Sequence, residues 1–207
     1  MKSSINKQEE LRFGNDYHIY NRAVGNDKLF VDEADYYFFL KKLKRFILPI
    51  AKILSYCLLP NHFHLLVKIK EIEEIENRPN LNILQNNEPE KLIVKQFSNF
   101  FNSYSKSFNK AHSRKGKLVL SPFKRIEVQN EDYLIYLIAY IHRNPIHHGL
   151  VDDYSEWRFS SYNTFLSDKN TEVEREYVLK FFDSLEDFKD FHKSNKTKKG
   201  LKELLFE

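Results

Sequence analysis

The chain has 207 residues, of which 42% are hydrophobic and 30% charged, with a net charge of +4. This length suits one domain with a sizeable core. The charged fraction and the lack of any apolar run near about 18 residues exclude a membrane-spanning chain. The single cysteine, Cys57, excludes an intrachain disulfide and a cysteine-rich zinc module. It lies in an apolar run and reads as a buried thiol. The start of the chain, Met1 to Leu11, has no apolar signal core, so a reducing cytoplasm is the expected compartment.

In chain order, Asp16 to Val24 alternates as a strand does, and Gly25-Asn26-Asp27 closes it with turn chemistry. Asp32 then caps a helix running through Phe38, Leu40, Leu43, Phe46 and Ile47, stopped by Pro49. Two apolar runs, Ala51 to Leu59 and His62 to Ile69, flank Pro60-Asn61 and read as an antiparallel hairpin. Residues 71–90 hold six Glu and one Arg and are expected to form a flexible acidic insert. The period of Ile93, Phe97, Phe100, Phe101, Tyr104 and Phe108 predicts a helix from Lys91 to Ala111, broken by Ser113 to Gly116. Lys117 to Val128 reads as a strand with Pro122 as an irregularity. Asn130 caps a helix from Tyr133 to Asn144, which Pro145 kinks or ends and Gly149 terminates. The charged stretch beyond residue 166 reads as a helical extension.

The element order predicts an α+β fold of the ferredoxin-like kind. It comprises an antiparallel split β-α-β sheet with helices on one face, spanning residues 1–165, and a C-terminal helical extension over 166–207.

Three features carry chemistry. On a strand, His62 and His64 project to one face while Phe63 and Leu65 face the other. Two convergent imidazoles are natural ligands for a divalent metal, although a hydrogen-bonded pair on a half-buried strand is the plain alternative. From Lys91 to Arg125 there are nine Lys or Arg residues and no acid, interleaved with aromatic and amide residues. Such a block tracks a phosphate backbone, and rings among it can stack on unpaired bases. Its candidate DNA-binding residues are Lys95, Lys106, Lys110, Arg114, Lys115, Lys117, Lys124 and Arg125. On the later helix, Tyr133, Tyr136 and Tyr140 make one stripe, and Asn144 follows Tyr140 by one turn. Packing accounts for Tyr133 and Tyr136. Tyr140 is the candidate nucleophile, because a metal that polarises a phosphodiester makes a phenol useful, and Asn144 offers an amide oxygen to the same metal.

The run Leu59-Pro60-Asn61-His62-Phe63-His64 resembles the HUH (His-hydrophobe-His) motif of single-tyrosine transposases. The run from Tyr140 to Val151 resembles their tyrosine-helix signature, and Trp157 to Tyr162 resembles the tail that follows it. The basic stretch from Lys110 to Arg125 is similar to the segment that precedes that helix. Together these cover residues 12–165, and the subgroup they are most similar to is the REP-associated tyrosine transposases. The resemblance implies an HUH endonuclease domain that acts on single-stranded DNA beside a hairpin. It implies His62 and His64 as ligands of Mg²⁺ or Mn²⁺, and Tyr140 as the nucleophile of a 5′-phosphotyrosine intermediate. Asn144 would stand where relatives have a polar third ligand, often Gln. It also implies a bacterial protein, nucleoid-associated when bound to DNA; a monomer and a homodimer are both open. His142 is expected to be structural or a DNA contact. The acidic insert and the C-terminal extension have no counterpart in the family.

Two other readings differ in what they require. A catalytically silent hairpin or single-stranded DNA-binding protein needs the basic block but neither Tyr140 nor a competent histidine pair. A metal hydrolase needs a third strong ligand and a nearby carboxylate base, and Asp132 lies two turns from Tyr140.

Overall fold

The computed structural model describes residues 8–76 and 88–194. Four strands, β1 (Asp16–Arg22), β2 (Ala51–Leu59), β3 (His62–Ile69) and β4 (Lys124–Glu127), form one antiparallel sheet in the order β2-β3-β1-β4. Helix α1 (Glu33–Phe46) joins β1 to β2. A short helix α2 (Ile72–Glu76) and the long α3 (Pro89–Ala111) lie between β3 and β4. The two crossovers interleave, which gives the ferredoxin-like split β-α-β sheet expected from the sequence.

Local chemistry sets the boundaries. The Asp32 carboxylate accepts the Asp35 N–H at 3.1 Å while the Asp35 carboxylate accepts the Asp32 N–H, a capping box that starts α1. Pro60-Asn61 turns the chain so that Leu59 faces His62 and Cys57 faces His64. Phe63 points into the layer of α1 and α3, with its ring 5.2 Å from Phe39 and 5.5 Å from Phe101. Phe97, Phe100, Phe101, Tyr104, Phe108 and Phe123 are all buried in this layer. The rings interleaved with the basic block therefore build the core and do not offer faces to bases, which corrects that part of the sequence reading.

Helix α4 (Glu131–His147) packs against β2 and β3 on the opposite face and extends the expected one-layer picture. Helices on both faces explain why β3 is buried along almost its whole length. After α4 come a 3₁₀ turn (Tyr154–Glu156), α5 (Tyr162–Phe165), α6 (Arg175–Leu179) and α7 (Leu185–Lys193). Residues 157–161 line the outer edge of β2, where the Leu58 N–H donates to the Phe159 carbonyl and the Ser161 N–H to Tyr56, both at 2.9 Å. Gln8 and Glu9 run beside β4, where the Glu9 N–H donates to the Arg125 carbonyl at 3.3 Å, so among the described residues a segment lies along each sheet edge.

Three expectations shift. Only Lys124–Glu127 of the predicted Lys117–Val128 strand joins the ladder. The preceding residues run beside the end of β1, where the Leu120 N–H donates to the Arg22 carbonyl at 3.0 Å, before Pro122, which has no N–H to give a ladder. Pro145 lies inside α4 and does not end it. It costs the helix one bond near its terminus, and the close comes four residues later at Gly149 (φ +65°). There the Gly149 N–H donates to Ile146 and the Leu150 N–H to Pro145, the paired bonds of a Schellman cap. The acidic insert begins with α2, anchored by buried Ile75. Its residues 77–87 lie outside the described residues, as do 195–207 of the extension.

Candidate active site

Strand alternation turns His62 and His64 away from Phe63 and toward α4. Their ring centroids are 5.3 Å apart and nearly perpendicular. The β1–β3 register sets Arg22 opposite His62 and Tyr20 opposite His64, with His18 next along the same face. Helix α4 lies over this face because Asn130 caps it, accepting the Tyr133 N–H at 2.9 Å, and Leu137, Ile138 and Ile141 bury its apolar stripe. The half-buried Tyr140 ring meets His64 edge-on at 5.7 Å and His18 at 6.4 Å. His64 and Tyr140 thus meet within one chain, with His62 beside His64. Tyr133 is buried in packing, as expected.

The hydrogen bonds fix how the imidazoles are presented. His62 Nδ1 lies 2.7 Å from Asn61 Oδ1, an atom that only accepts, so Nδ1 carries the proton. His62 Nε2 then holds the lone pair, and it is buried with no hydrogen-bond partner among the described residues. His64 Nδ1 lies 2.9 Å from His18 Nε2, which leaves Nε2 as the nitrogen that His64 can offer an ion. Burial pushes the His62 pKa down to about 4, with the nearby His148 and Arg22 adding to it. His64 is driven well below the ordinary value, first by burial and then by His18, His62 and His148. Burial takes His18 down to about 3. All three rings are therefore neutral at physiological pH, the form that ligates metals.

This donor set fits a divalent ion. Two neutral imidazoles, with the His62 Nε2 lone pair buried and open, would leave most coordination positions for water and phosphate oxygens. Asn144 is buried one turn beyond Tyr140, and its Nδ2 donates to the Tyr140 carbonyl at 2.9 Å, so Oδ1 is the atom it has to offer. Among the described residues, one trio of acidic or histidine ligands lies within the reach of a single ion: Asp32, Asp35 and His112. The α1 capping box and the hydrogen-bonded contact of His112 with Asp35 at 2.9 Å, just beyond the end of α3, already occupy those groups. A cavity of about 550 Å³ lined by Lys44, Lys52, Lys70 and Glu172 shares no residue with the histidine site. Its Lys44 pairs with Glu172, its Lys52 with Glu74, and its Lys70 donates to the Leu48 carbonyl at 2.8 Å.

The candidate DNA-binding residues fall into separate groups. Lys124 lies over the Tyr20 ring at 5.3 Å, on the face of the histidines. Lys95, Lys106 and Lys110 are exposed on α3, in the opposite layer, and Lys115 and Lys117 are exposed in the following loop. Arg114 is committed to the fold: it pairs with Asp27 and donates to the Lys117 carbonyl at 2.8 Å. Arg125 bonds the Glu9 carbonyl and lies over Phe123 at 5.1 Å. His142 is fully buried, with Nδ1 2.8 Å from His192 and Nε2 2.8 Å from Ser161 Oγ, so it is structural.

Sequence reasoning missed four site residues. His18 and Arg22 share strand parity with Tyr20, but only the β1–β3 register shows that they face His64 and His62. Asn61 was read as turn chemistry alone. His148, the last residue before Gly149, brings its ring within 4.8 Å of His62.

No protein-family model matches the chain, and no curated protein matches it. Among solved structures, the chain is similar to a REP-associated tyrosine transposase determined bound to a REP hairpin. The TM-score is 0.55 at 17% identity, covering 80% of this chain and 86% of that one. The same subgroup that the sequence motifs resemble is thus met again in three dimensions, and this chain has the fold of a REP-associated tyrosine transposase.

Proposed function

We propose that this protein is a metal-dependent DNA transposase or endonuclease that cleaves and rejoins single-stranded DNA near hairpins through a 5′-phosphotyrosine intermediate. The observation that carries this reading is the contact of Tyr140 with His64 across one face of the sheet, with His62 beside His64. In the reaction, the Tyr140 oxygen attacks the scissile phosphorus. A phosphotyrosine ester forms, the P–O3′ bond breaks, the phenol proton passes to water, and the departing O3′ takes one up. Attack by a second 3′-hydroxyl on the phosphotyrosine reverses these steps and reseals the strand. Mg²⁺ or Mn²⁺ held by His62, His64 and Asn144 Oδ1 would supply charge to a phosphate oxygen as negative charge builds there. The His18 and His64 rings pack perpendicular to the Tyr140 ring, and Arg22 and Lys124 place cationic charge on the same face. Lys95, Lys106 and Lys110, in the opposite layer, would act on DNA beyond the cleavage point.

The test is covalent trapping. Labelled hairpin DNA from the flanks of the gene is incubated with the protein and Mn²⁺ or Mg²⁺, then run on a denaturing gel beside EDTA, Tyr140→Phe and Tyr133→Phe samples. A metal-dependent adduct lost in Tyr140→Phe and kept in Tyr133→Phe is expected. A shift on a native gel with no adduct under either metal would instead establish binding without catalysis, and cleaved ends without an adduct would establish hydrolysis.

A further inference from the structure

The two candidate metal ligands are supported in parallel. Each has its Nδ1 engaged by a neighbouring side chain, Asn61 for His62 and His18 for His64. The Asn61 oxygen can only accept, so the proton arrangement at His62 follows at once. The His18–His64 contact has two solutions, because either ring nitrogen can be the donor and a single proton lies between them. If His18 donates, the proton of neutral His64 is on Nε2 and that ligand is closed. If His64 donates, its Nε2 lone pair is available, and His18 must carry its own proton on Nδ1, which is buried and has no hydrogen-bond partner among the described residues.

We propose that His18 is a positioning residue for the metal site, accepting a hydrogen bond from His64 Nδ1–H and so holding His64 with Nε2 bare for the ion. The inference deepens the metal-dependent reading above and rests on it. Two observations support it. The contact is short at 2.9 Å, and both rings are fully or almost fully buried, so water does not compete for it. The two rings are nearly parallel with centroids 5.1 Å apart, and Tyr20 packs against both of them, 4.6 Å from His18 and 5.9 Å from His64, which restricts His18 to this orientation. Ligating histidines are commonly oriented by a partner on the second ring nitrogen, usually a carboxylate or a carbonyl. An imidazole in that place orients without adding negative charge, which leaves the charge of a bound dication undiminished for an anionic phosphodiester.

The experiment has two arms on the full chain. In the first, Mn²⁺ affinity is measured by calorimetry without DNA for the wild type, His18→Phe and His18→Gln. The Phe variant keeps the ring and loses the acceptor, and affinity is expected to fall about 10- to 100-fold. Gln sets a carbonyl oxygen near the former Nε2, and most of the affinity should return. In the second arm, long-range ¹H–¹⁵N spectra of the wild type loaded with Zn²⁺ read the tautomers directly, with no substitution to disturb folding. Protons on Nδ1 of both His64 and His18 are expected. Wild-type affinity in a folded His18→Phe, or His18 protonated on Nε2 in the loaded protein, would overturn the inference and leave the metal site standing. Failure of the wild type to bind Mn²⁺ at all would remove the metal-dependent reading, and the inference with it.

Discussion

Arg114 shows how a basic residue in a basic block can belong wholly to the fold. Its guanidinium is shared among Asp27, Asn109 and the carbonyls of Gly116 and Lys117, which clasps the loop after α3 onto the turn after β1. Lys106 and Lys110 come from the same run but stand exposed on α3. Substitutions should therefore separate the two kinds. Arg114→Ala is expected to lower stability by about 1–2 kcal/mol, since the loop carbonyls lose charged donors while the exposed Asp27 contact adds little. Its effect on hairpin affinity should be small. Lys106→Ala and Lys110→Ala should leave the urea midpoint in place and weaken DNA binding uniformly across sequences. Each should also reduce the slope of log affinity against log salt by about 1. Urea titration together with binding at several salt concentrations makes the comparison, and a salt slope reduced equally by Arg114→Ala would refute the division.

At the scale of elements, helix α4, which carries Tyr140, is braced from behind by the C-terminal extension. His142 on α4 bonds His192 on α7, and Arg143 donates to the carbonyls of His192 and Ser194 at 2.7 and 3.1 Å. Phe188 on α7 is fully buried among Tyr162, Phe165, Phe182 and His142. Phe188→Ala should cost about 3–5 kcal/mol. His192→Ala, which leaves His142 Nδ1 buried without its partner, should cost about 1–3 kcal/mol. Because Tyr140 rides on the same helix, His192→Ala should slow adduct formation more than it weakens hairpin binding. An adduct rate unchanged in a variant measurably less stable would disprove the brace. None of this could be read from the sequence, and the reason is physical. The helix caps at Asp32 and Asn130 and the turn at Pro60-Asn61 are local chemistry, complete within four residues, so they were legible. So was the His62–His64 face, which follows from strand parity. The pairings of His18 with His64 and of His142 with His192 depend on sheet register and on how the chain returns after α4, and no local period encodes either. Pro145 misled for the opposite reason: its local rule is real, but near a helix end the lost bond is cheap and the Gly149 cap decides the terminus.

Across the whole molecule, the fold encloses five histidines, His18, His62, His64, His142 and His192, in surroundings that disfavour their charged form. Burial is the first cause in every case, and it takes His62 and His192 to about 4 and His18 to about 3. The sign of the consequence is fixed by linkage. Below an unfolded value near 6.5 the unfolded chain takes up protons that the folded chain refuses, so their stabilising contribution is complete above about 6.5 and is lost as pH falls from there toward the depressed folded values. Each histidine that refuses its proton costs about 1.4 kcal/mol per pH unit there. Asp16 works the other way, its pKa raised chiefly by burial, but it is one group against five. Metal-free protein in EDTA should therefore show urea midpoints that hold steady from pH 8 to about 6.5 and then fall ever more steeply toward pH 4.5. Saturating Mn²⁺ should deepen the fall, because an ion bound to neutral His62 and His64 is a further stabiliser that protons displace. A metal-free midpoint that stayed flat between pH 6.5 and 4.5 would mean that these rings reach water, and the dry site on which the neutral-imidazole argument depends would not exist.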